Sequence, residues 1–327
     1  TGLKIMDLFN VKIKPMLAFP SEPFDSEDHF YEIKYDGTRT IGYIDKKNRE
    51  VKLLNRRGIW FQDRYPELKS IWQNVEGEKV ILDGEIVVMK GGKPDFYLLE
   101  LREHVDNRLR IEFLSKLYPS IYVVFDILYK DGKDLTSLPL TERKTILKET
   151  VREGDNLIIS ETFEKHGIKL FEKVKEMGLE GIMAKKKDSP YLMGKRSKFW
   201  LKIKALKTVD AIICGFTKGE GKRKPYFGAL LLGVYDNGKL RYIGRVGTGN
   251  WPEERLKWLK EILEKLKTNR NPFDIFEEEP KIVEKTYFVK PKLVAEVSFL
   301  EWTEDKKLRA PSFKRLRNDK NPLECVI

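Results

Sequence analysis

Glu32-Ile33-Lys34-Tyr35-Asp36-Gly37-Thr38-Arg39 is the stretch on which the reading of this chain turns. A lysine closes an apolar-edged strand, an acid and a glycine follow, and an arginine stands five residues beyond the lysine. A lysine amine is a nucleophile only as the free base, which burial or a neighbouring cation promotes. An arginine so near would supply that cation and would also grip a phosphate. Taken alone, the segment reads as well as a solvated Lys-Asp-Gly turn between two strands. The remainder of the chain decides between the two.

The 327 residues leave room for two domains and a sizeable core. Charged residues make up 35% of the chain, above the usual quarter, and 63 Lys+Arg against 51 Asp+Glu leave a net charge of +12. That excess suits a polyanionic partner, nucleic acid above all, while a surface dense in charge also suits heat. The two cysteines, Cys214 and Cys325, lack CxxC spacing, which points to a reducing cytosol and away from a disulfide framework or zinc site. Cys214 follows Ala211-Ile212-Ile213 and reads as a small core residue. No apolar stretch approaches membrane-spanning length and no signal peptide is visible, so a cytoplasmic protein without a membrane partner is expected.

Up to about residue 205, β-branched and aromatic runs alternate with amphipathic stretches. Val80-Ile81-Leu82, Ile86-Val87-Val88-Met89 and Ile121-Tyr122-Val123-Val124-Phe125 read as buried strands, and 140–151 and 168–177 as helices. The pattern is α/β or α+β around a sheet core. Beyond residue 206 short strands dominate, at 209–216, 229–235, 240–246 and 293–299. One helix interrupts them, opened by Trp251-Pro252 and striped by Leu256, Leu259, Leu263 and Leu266. Short strands with one helix fit a small Greek-key barrel of the OB type. The expected domains are therefore 1–205 and 206–327.

Two glycine-rich stretches fail as phosphate loops. Gly219-Glu220-Gly221-Lys222-Arg223-Lys224 lacks the Ser/Thr and the helix that a Walker loop needs, and reads as a basic hairpin. Gly244-Arg245-Val246-Gly247-Thr248-Gly249 does not match the dinucleotide fingerprint. Five other clusters make chemical sense together. Asn55-Arg56-Arg57-Gly58 sets arginines at a turn after a strand, and Asp83-Gly84-Glu85 sets two carboxylates within an apolar strand pair. Phe125-Asp126 ends a buried strand, and Glu180-Gly181-Ile182-Met183-Ala184-Lys185 repeats an acid, an apolar strand and a lysine. Trp200-Leu201-Lys202-Ile203-Lys204 puts two lysines on one face of a strand. Each alone also reads as satisfied polar residues or a solvated face. Jointly they hold carboxylates for a divalent metal, cations for phosphates and an aromatic for a base, which is what nucleotidyl transfer requires.

With these clusters in order, the sequence resembles the ATP-dependent DNA ligases of the lysine-nucleotidyltransferase superfamily. Lys34-Tyr35-Asp36-Gly37-Thr38-Arg39 is similar to their KxDGxR signature, and Arg309-Ala310-Pro311-Ser312-Phe313 with Arg317-Asn318-Asp319-Lys320 resembles their C-terminal motif. The subtype it most resembles is the ligase module of prokaryotic end-joining ligases, the ligase D type. That likeness is carried by Pro15-Met16-Leu17-Ala18, Gly194-Lys195-Arg196-Ser197, Val294-Ala295-Glu296-Val297 and Glu301-Trp302-Thr303. Asn55 stands where the family usually has Ser or Thr. The resemblance implies an α+β adenylation domain with antiparallel sheets and helices, followed by an OB-fold β-barrel domain.

It further implies that Lys34 becomes adenylylated by ATP, that the AMP moves to the 5′-phosphate of a nick in duplex DNA, and that the 3′-hydroxyl then displaces it. Glu32 would read the adenine edge and Phe125 would stack on the base. Arg39 and Arg56 would hold phosphate or ribose, Glu85 and Glu180 would bind Mg²⁺ or Mn²⁺, and Lys185, Lys202 and Lys204 would neutralise the α-phosphate. Arg317 and Lys320 would act on the pyrophosphate. A monomer near the nucleoid of a prokaryote is implied, without the family's N-terminal DNA-clasping domain, and with a Ku-like end-binding protein or a separate polymerase or phosphoesterase as possible partners. An RNA ligase, a capping-type nucleotidyltransferase and a non-catalytic OB-fold nucleic-acid-binding protein are the alternatives.

Overall fold

Residues that alternate in burial at a period of two build three main sheets, and the buried members of each strand fix its register. The computed structural model describes residues 7–249 and 251–327, Phe96 by its backbone only. The chain divides into two compact units, Thr1–Ala205 and Leu206–Ile327.

The first unit begins with β1 (Leu17–Pro20), β2 (Ser26–Ile33), β3 (Thr38–Asp45), β4 (Glu50–Asn55) and β5 (Lys79–Lys90). Helices α1 (Phe96–Glu103) and α2 (Arg108–Leu117) lead to β6 (Ser120–Lys130) and α3 (Leu140–Thr150). Next come β7 (Leu157–Ile159), β8 (Phe163–Lys165), α4 (Gly167–Glu176), β9 (Gly181–Lys186) and β10 (Arg196–Lys204). Asp95 and Asn107 cap α1 and α2 by accepting from backbone amides in their first turns.

One sheet has the order β1-β10-β9-β2-β8, and the other runs β4-β3-β5-β6 with β7 alongside β6. Pairing is antiparallel except for β1 with β10 and β6 with β7. Helix α4 covers one face of the first sheet, its Val174 packing with Tyr31, Ile182 and Ile203. Between the sheets lie Met16, Ile41, Tyr43, Tyr191 and Trp200. The result is an α+β unit whose two sheets face each other across a shared core.

Two expectations from the sequence change here. The runs 80–82 and 86–89 are not separate strands but one twelve-residue strand, β5. Gly84 makes this possible, since a Cβ there would lie 2.3 Å from the Val123 carbonyl oxygen of β6. Phe125 and Asp126 sit in the middle of β6 rather than at its end. Asp126 is tolerated there because Arg143 of α3 grips its carboxylate through Nε at 2.8 Å and Nη2 at 3.1 Å, with both side chains fully buried.

The second unit holds β11 (Lys207–Thr217), β12 (Ala229–Asp236), β13 (Lys239–Gly247), α5 (Glu253–Leu266), β14 (Lys267–Thr268), β15 (Thr286–Phe299) and β16 (Ser312–Arg317). Its sheet runs β13-β12-β11-β15-β14, with β16 added on β15. This antiparallel half-barrel with one covering helix is consistent with the OB fold. Leu256, Leu259 and Leu263 of α5 join Ile213, Phe216 and Val289 in its core. Strand β15 is longer than the expected 293–299. It passes through Pro291 because its pairing with β11 skips from Phe288 to Leu293, where no ladder amide is required. The stretch 219–224 lies in the connection between antiparallel β11 and β12, as a short 3₁₀ turn at Gly221–Arg223. Among the described residues no helix is long and apolar enough to cross a membrane.

Replacing Arg143 by Met strands the Asp126 carboxylate in the core. The expected cost is about 3–5 kcal/mol, the usual penalty for an uncompensated buried charge. Urea denaturation of the variant measures it, and an unchanged midpoint would contradict the assignment.

Candidate active site

Residues paired across a sheet point to the same side, so register alone assembles a site. In the first sheet Glu32, Met183 and Lys202 form one row, and Phe30, Lys185 and Trp200 the next. Lys34 follows β2 and donates its backbone N–H to Gly181 O at 3.0 Å, opposite Lys204. In the second sheet Arg39 pairs with Glu85, and Ile41 with Asp83. The two faces meet where Lys185 Nζ lies 3.8 Å from the Phe125 ring centroid and the Arg39 guanidinium 5.8 Å from that of Trp200. The segment that carries Lys34 is held tightly, because a Cβ on Gly37 would come within 2.0 Å of Ile86 O.

Arg39 is fixed by Asp83, which accepts from Nε and Nη2, each at 2.7 Å. Nη2 also donates to Met16 O at 2.9 Å. The Tyr191 hydroxyl donates to Asp83 at 2.6 Å and accepts from the Met16 amide at 3.0 Å. Much of the guanidinium is thus committed to protein, and Asp83 serves as its anchor.

Glu32, 1% exposed, lies 3.0 Å from Lys144 Nζ and 2.9 Å from Lys185 Nζ, one lysine at each carboxylate oxygen. Burial alone would raise its pKa, but the two ammonium groups outweigh it and hold the carboxyl below its usual range. Burial pushes Lys185 down to about 8, with Glu32 pulling the other way. Lys144 also donates to Phe125 O at 2.7 Å, which ties α3 to the aromatic residue of β6. Lys185 thus packs against Glu32 and Phe125, in the row next to that of Lys202 on the same face.

Lys34 Nζ donates to Glu180 Oε1 at 3.1 Å. Glu180, expected to hold a metal, is here the partner of the candidate nucleophile. Asp36 and Glu180 bring carboxylate oxygens within 4.8 Å of each other, whereas Glu85 does not complete a trio with them at that spacing. Arg56 is half-buried in the turn that follows β4. In the second unit Arg317 is gripped by Asp319 at 3.2 and 3.0 Å and reaches Asp210 at 2.9 Å. Lys320 contacts the same Asp210 at 2.6 Å.

The sequence reading gave no role to Lys144 or Tyr191, and counted Asp83 only among the carboxylates available to a metal. Lys144 did carry a signal. Arg143 and Lys144 fall on the stripe of α3 marked by Leu140 and Leu147, and all four are buried, so two cations occupy positions that helical spacing assigns to the core.

Residues 15–204 match the family model described as the ATP dependent DNA ligase domain, and residues 223–320 the ATP dependent DNA ligase C terminal region. The chain belongs to the ATP-dependent DNA ligases. It is 35% identical over 316 residues to the multifunctional non-homologous end joining protein LigD of Mycolicibacterium smegmatis, across 95% of this chain and 39% of that protein. It is 33% identical over 310 residues to a DNA ligase of Thermococcus onnurineus, across 90% of this chain and 52% of that protein. The chain thus spans from two-fifths to about half the length of these relatives. Among solved structures it is similar to a mycobacterial DNA ligase D complexed with ATP and MES, with a TM-score of 0.73 and 31% identity over 98% of this chain and 99% of that one. Both family models are of ATP-dependent DNA ligases, and neither is of an RNA ligase or a capping enzyme.

Substituting Glu32 by Gln removes the charge that supports the Lys185 ammonium and leaves the repulsion from Lys144. The Lys185 pKa should then fall below about 8. Side-chain NMR titration of labelled lysine reads the shift, and an upward move would break the triad as described.

Proposed function

We propose that this chain seals nicks in duplex DNA through a lysyl-AMP intermediate on Lys34, as the ligase module of a prokaryotic end-joining system. The observation that carries the reading is Lys34 at the end of β2, ion-paired with Glu180 and backed by the phosphate-directed face of Lys202 and Lys204. In the first step Lys34 attacks the α-phosphate of ATP, a Lys–AMP bond forms and pyrophosphate leaves. Attack requires the free amine, so Lys34 must first give up a proton, which ends the ion pair with Glu180 as a pairing of full charges. The AMP then passes to the 5′-phosphate at the nick, and the 3′-hydroxyl displaces it.

Glu32, held by Lys144 and Lys185, reads the adenine edge, and Phe125 stacks on the base. Arg39 and Arg56 serve ribose or phosphate. For Arg39 this falls to the part of the guanidinium not bound to Asp83. Lys202 and Lys204 neutralise the α-phosphate, and Arg317 and Lys320 take the pyrophosphate after releasing Asp210 and Asp319. The oxygen donors of Asp36 and Glu180 suit a hard divalent cation, and Glu85 is a further ligand candidate. When bound, Mg²⁺ or Mn²⁺ would offset charge on the phosphates. A Ku-like end-binding protein and separate polymerase or phosphoesterase proteins are the partners this reading assigns.

Incubation with α-labelled ATP and metal, followed by denaturation, should leave label on the wild type and none on Lys34→Ala. Retention from GTP alone would indicate capping chemistry, and no label from either nucleotide would remove the enzymatic reading. On nicked duplex the affinity should fall steeply between low and high salt, since each neutralised phosphate releases counterions. Equal sealing of nicked RNA would redirect the substrate assignment.

A further inference from the structure

A pocket of about 330 Å³ lies on the Arg39 face of the second sheet, towards the far end of β3 from Arg39. Tyr43 and Arg39 are four residues apart on that strand, so the pocket stands about 13 Å from the Arg39 row. Buried Ile41 and Leu54 fill the space between, and the two sites are separate.

Its construction follows from register. Tyr43 pairs with Lys52 of β4, and Asp45 pairs with both Glu50 and Lys79. The N-terminal stretch crosses above them. The Tyr43 hydroxyl donates to Val11 O at 2.5 Å and accepts from Ile13 N at 2.9 Å, which clamps the backbone on both sides of Lys12. Lys12 Nζ donates to Gly58 O at 2.9 Å. Trp60 stands edge-on to Tyr43 at 5.3 Å and keeps 36% of its surface exposed. Lys12 and Lys52 place their ammonium groups 5.7 and 5.6 Å from its ring centroid, and Lys79 sits 5.2 Å from that of Phe9.

Three cations thus surround an aromatic cavity. Two acids line it as well: Asp45 accepts from Asn48 at 3.1 and 2.8 Å and faces Lys79 across the ladder, and Glu50 lies 3.3 Å from Lys52. Three lysines against two acids leave one positive charge in excess. An aromatic face flanked by lysines is how proteins bind unpaired nucleotides, with the base stacking and the phosphate meeting the cations. A small-ligand pocket spans roughly 300–1,000 Å³, and this one suits a single base with its sugar.

We propose that this pocket binds one nucleotide of an unpaired nucleic-acid strand, its base against Trp60 and its phosphate among Lys12, Lys52 and Lys79. A strand is favoured over a free nucleotide because the turn Arg56-Arg57-Gly58-Ile59 leads directly into Trp60, so an exposed arginine, Arg57, stands three residues from the stacking ring. The site does not depend on the chemistry of Lys34.

The test uses the whole chain with a short oligothymidylate carrying one 5-iodouracil. Irradiation and peptide mapping should place the adduct on Trp60, Tyr43 or Phe9. By fluorescence anisotropy, Trp60→Ala should weaken the oligonucleotide by roughly fivefold or more, the loss of about one base stack, and Lys52→Glu should weaken it severalfold through lost phosphate attraction. Trp60→Phe should restore most of the binding. AMP labelling of Lys34 should be unchanged in all three, which separates this site from the ligase reading. If Trp60→Ala does not fold, Lys52→Glu and the adduct map carry the decision. Thymidine monophosphate competing as well as the oligonucleotide would overturn the choice of a strand. Adducts only outside this pocket, with affinity unchanged in the folded variants, would overturn the site.

Discussion

The first unit depends on the carboxylate of Asp83. This fully buried acid receives two donors from Arg39 and one from Tyr191, and both partners also bind the backbone of Met16. Met16 leads directly into β1 of one sheet, whereas Arg39 and Asp83 belong to the other. One charged group therefore fixes the spacing of two sheets. A buried carboxylate without these donors would cost several kcal/mol, so its satisfaction is a condition of the fold. The cleft that presents Lys34 inherits its width from that network.

A second buried network works at shorter range. Lys144, Glu32 and Lys185 alternate in sign, with one ammonium at each oxygen of the acid. The excess positive charge lies against Phe125 and Trp200, whose ring faces partly compensate it. Helix α3 thereby does two jobs with adjacent residues, Arg143 anchoring Asp126 in the core and Lys144 reaching Glu32.

Much of this was legible in the sequence, and the limits have physical causes. Strand alternation placed Lys202 and Lys204 on one face, and the order of motifs identified the family through Lys34 and the residues around it. What alternation could not supply was partnership across distance. Arg39 and Asp83 are 44 positions apart, and nothing local marks an arginine as the mate of a particular acid. The same limit hides the contact of Lys185 with Phe125, since only its strand neighbours are visible in the sequence. Strand β5 was divided because an acid-glycine-acid segment separates two apolar runs, and only the neighbouring carbonyl shows why glycine fits there.

That continuous strand also bears on how this scaffold can change. Asp83 and Glu85 ride on one ladder between β3 and β6, so neither can be re-aimed without dragging a paired strand on each side. The turn after β2 is held as closely, since Gly37 packs against Ile86 O and the Lys34 amide donates to Gly181 O. The central carboxylates and the segment that carries Lys34 should therefore be the slowest parts of the molecule to diverge.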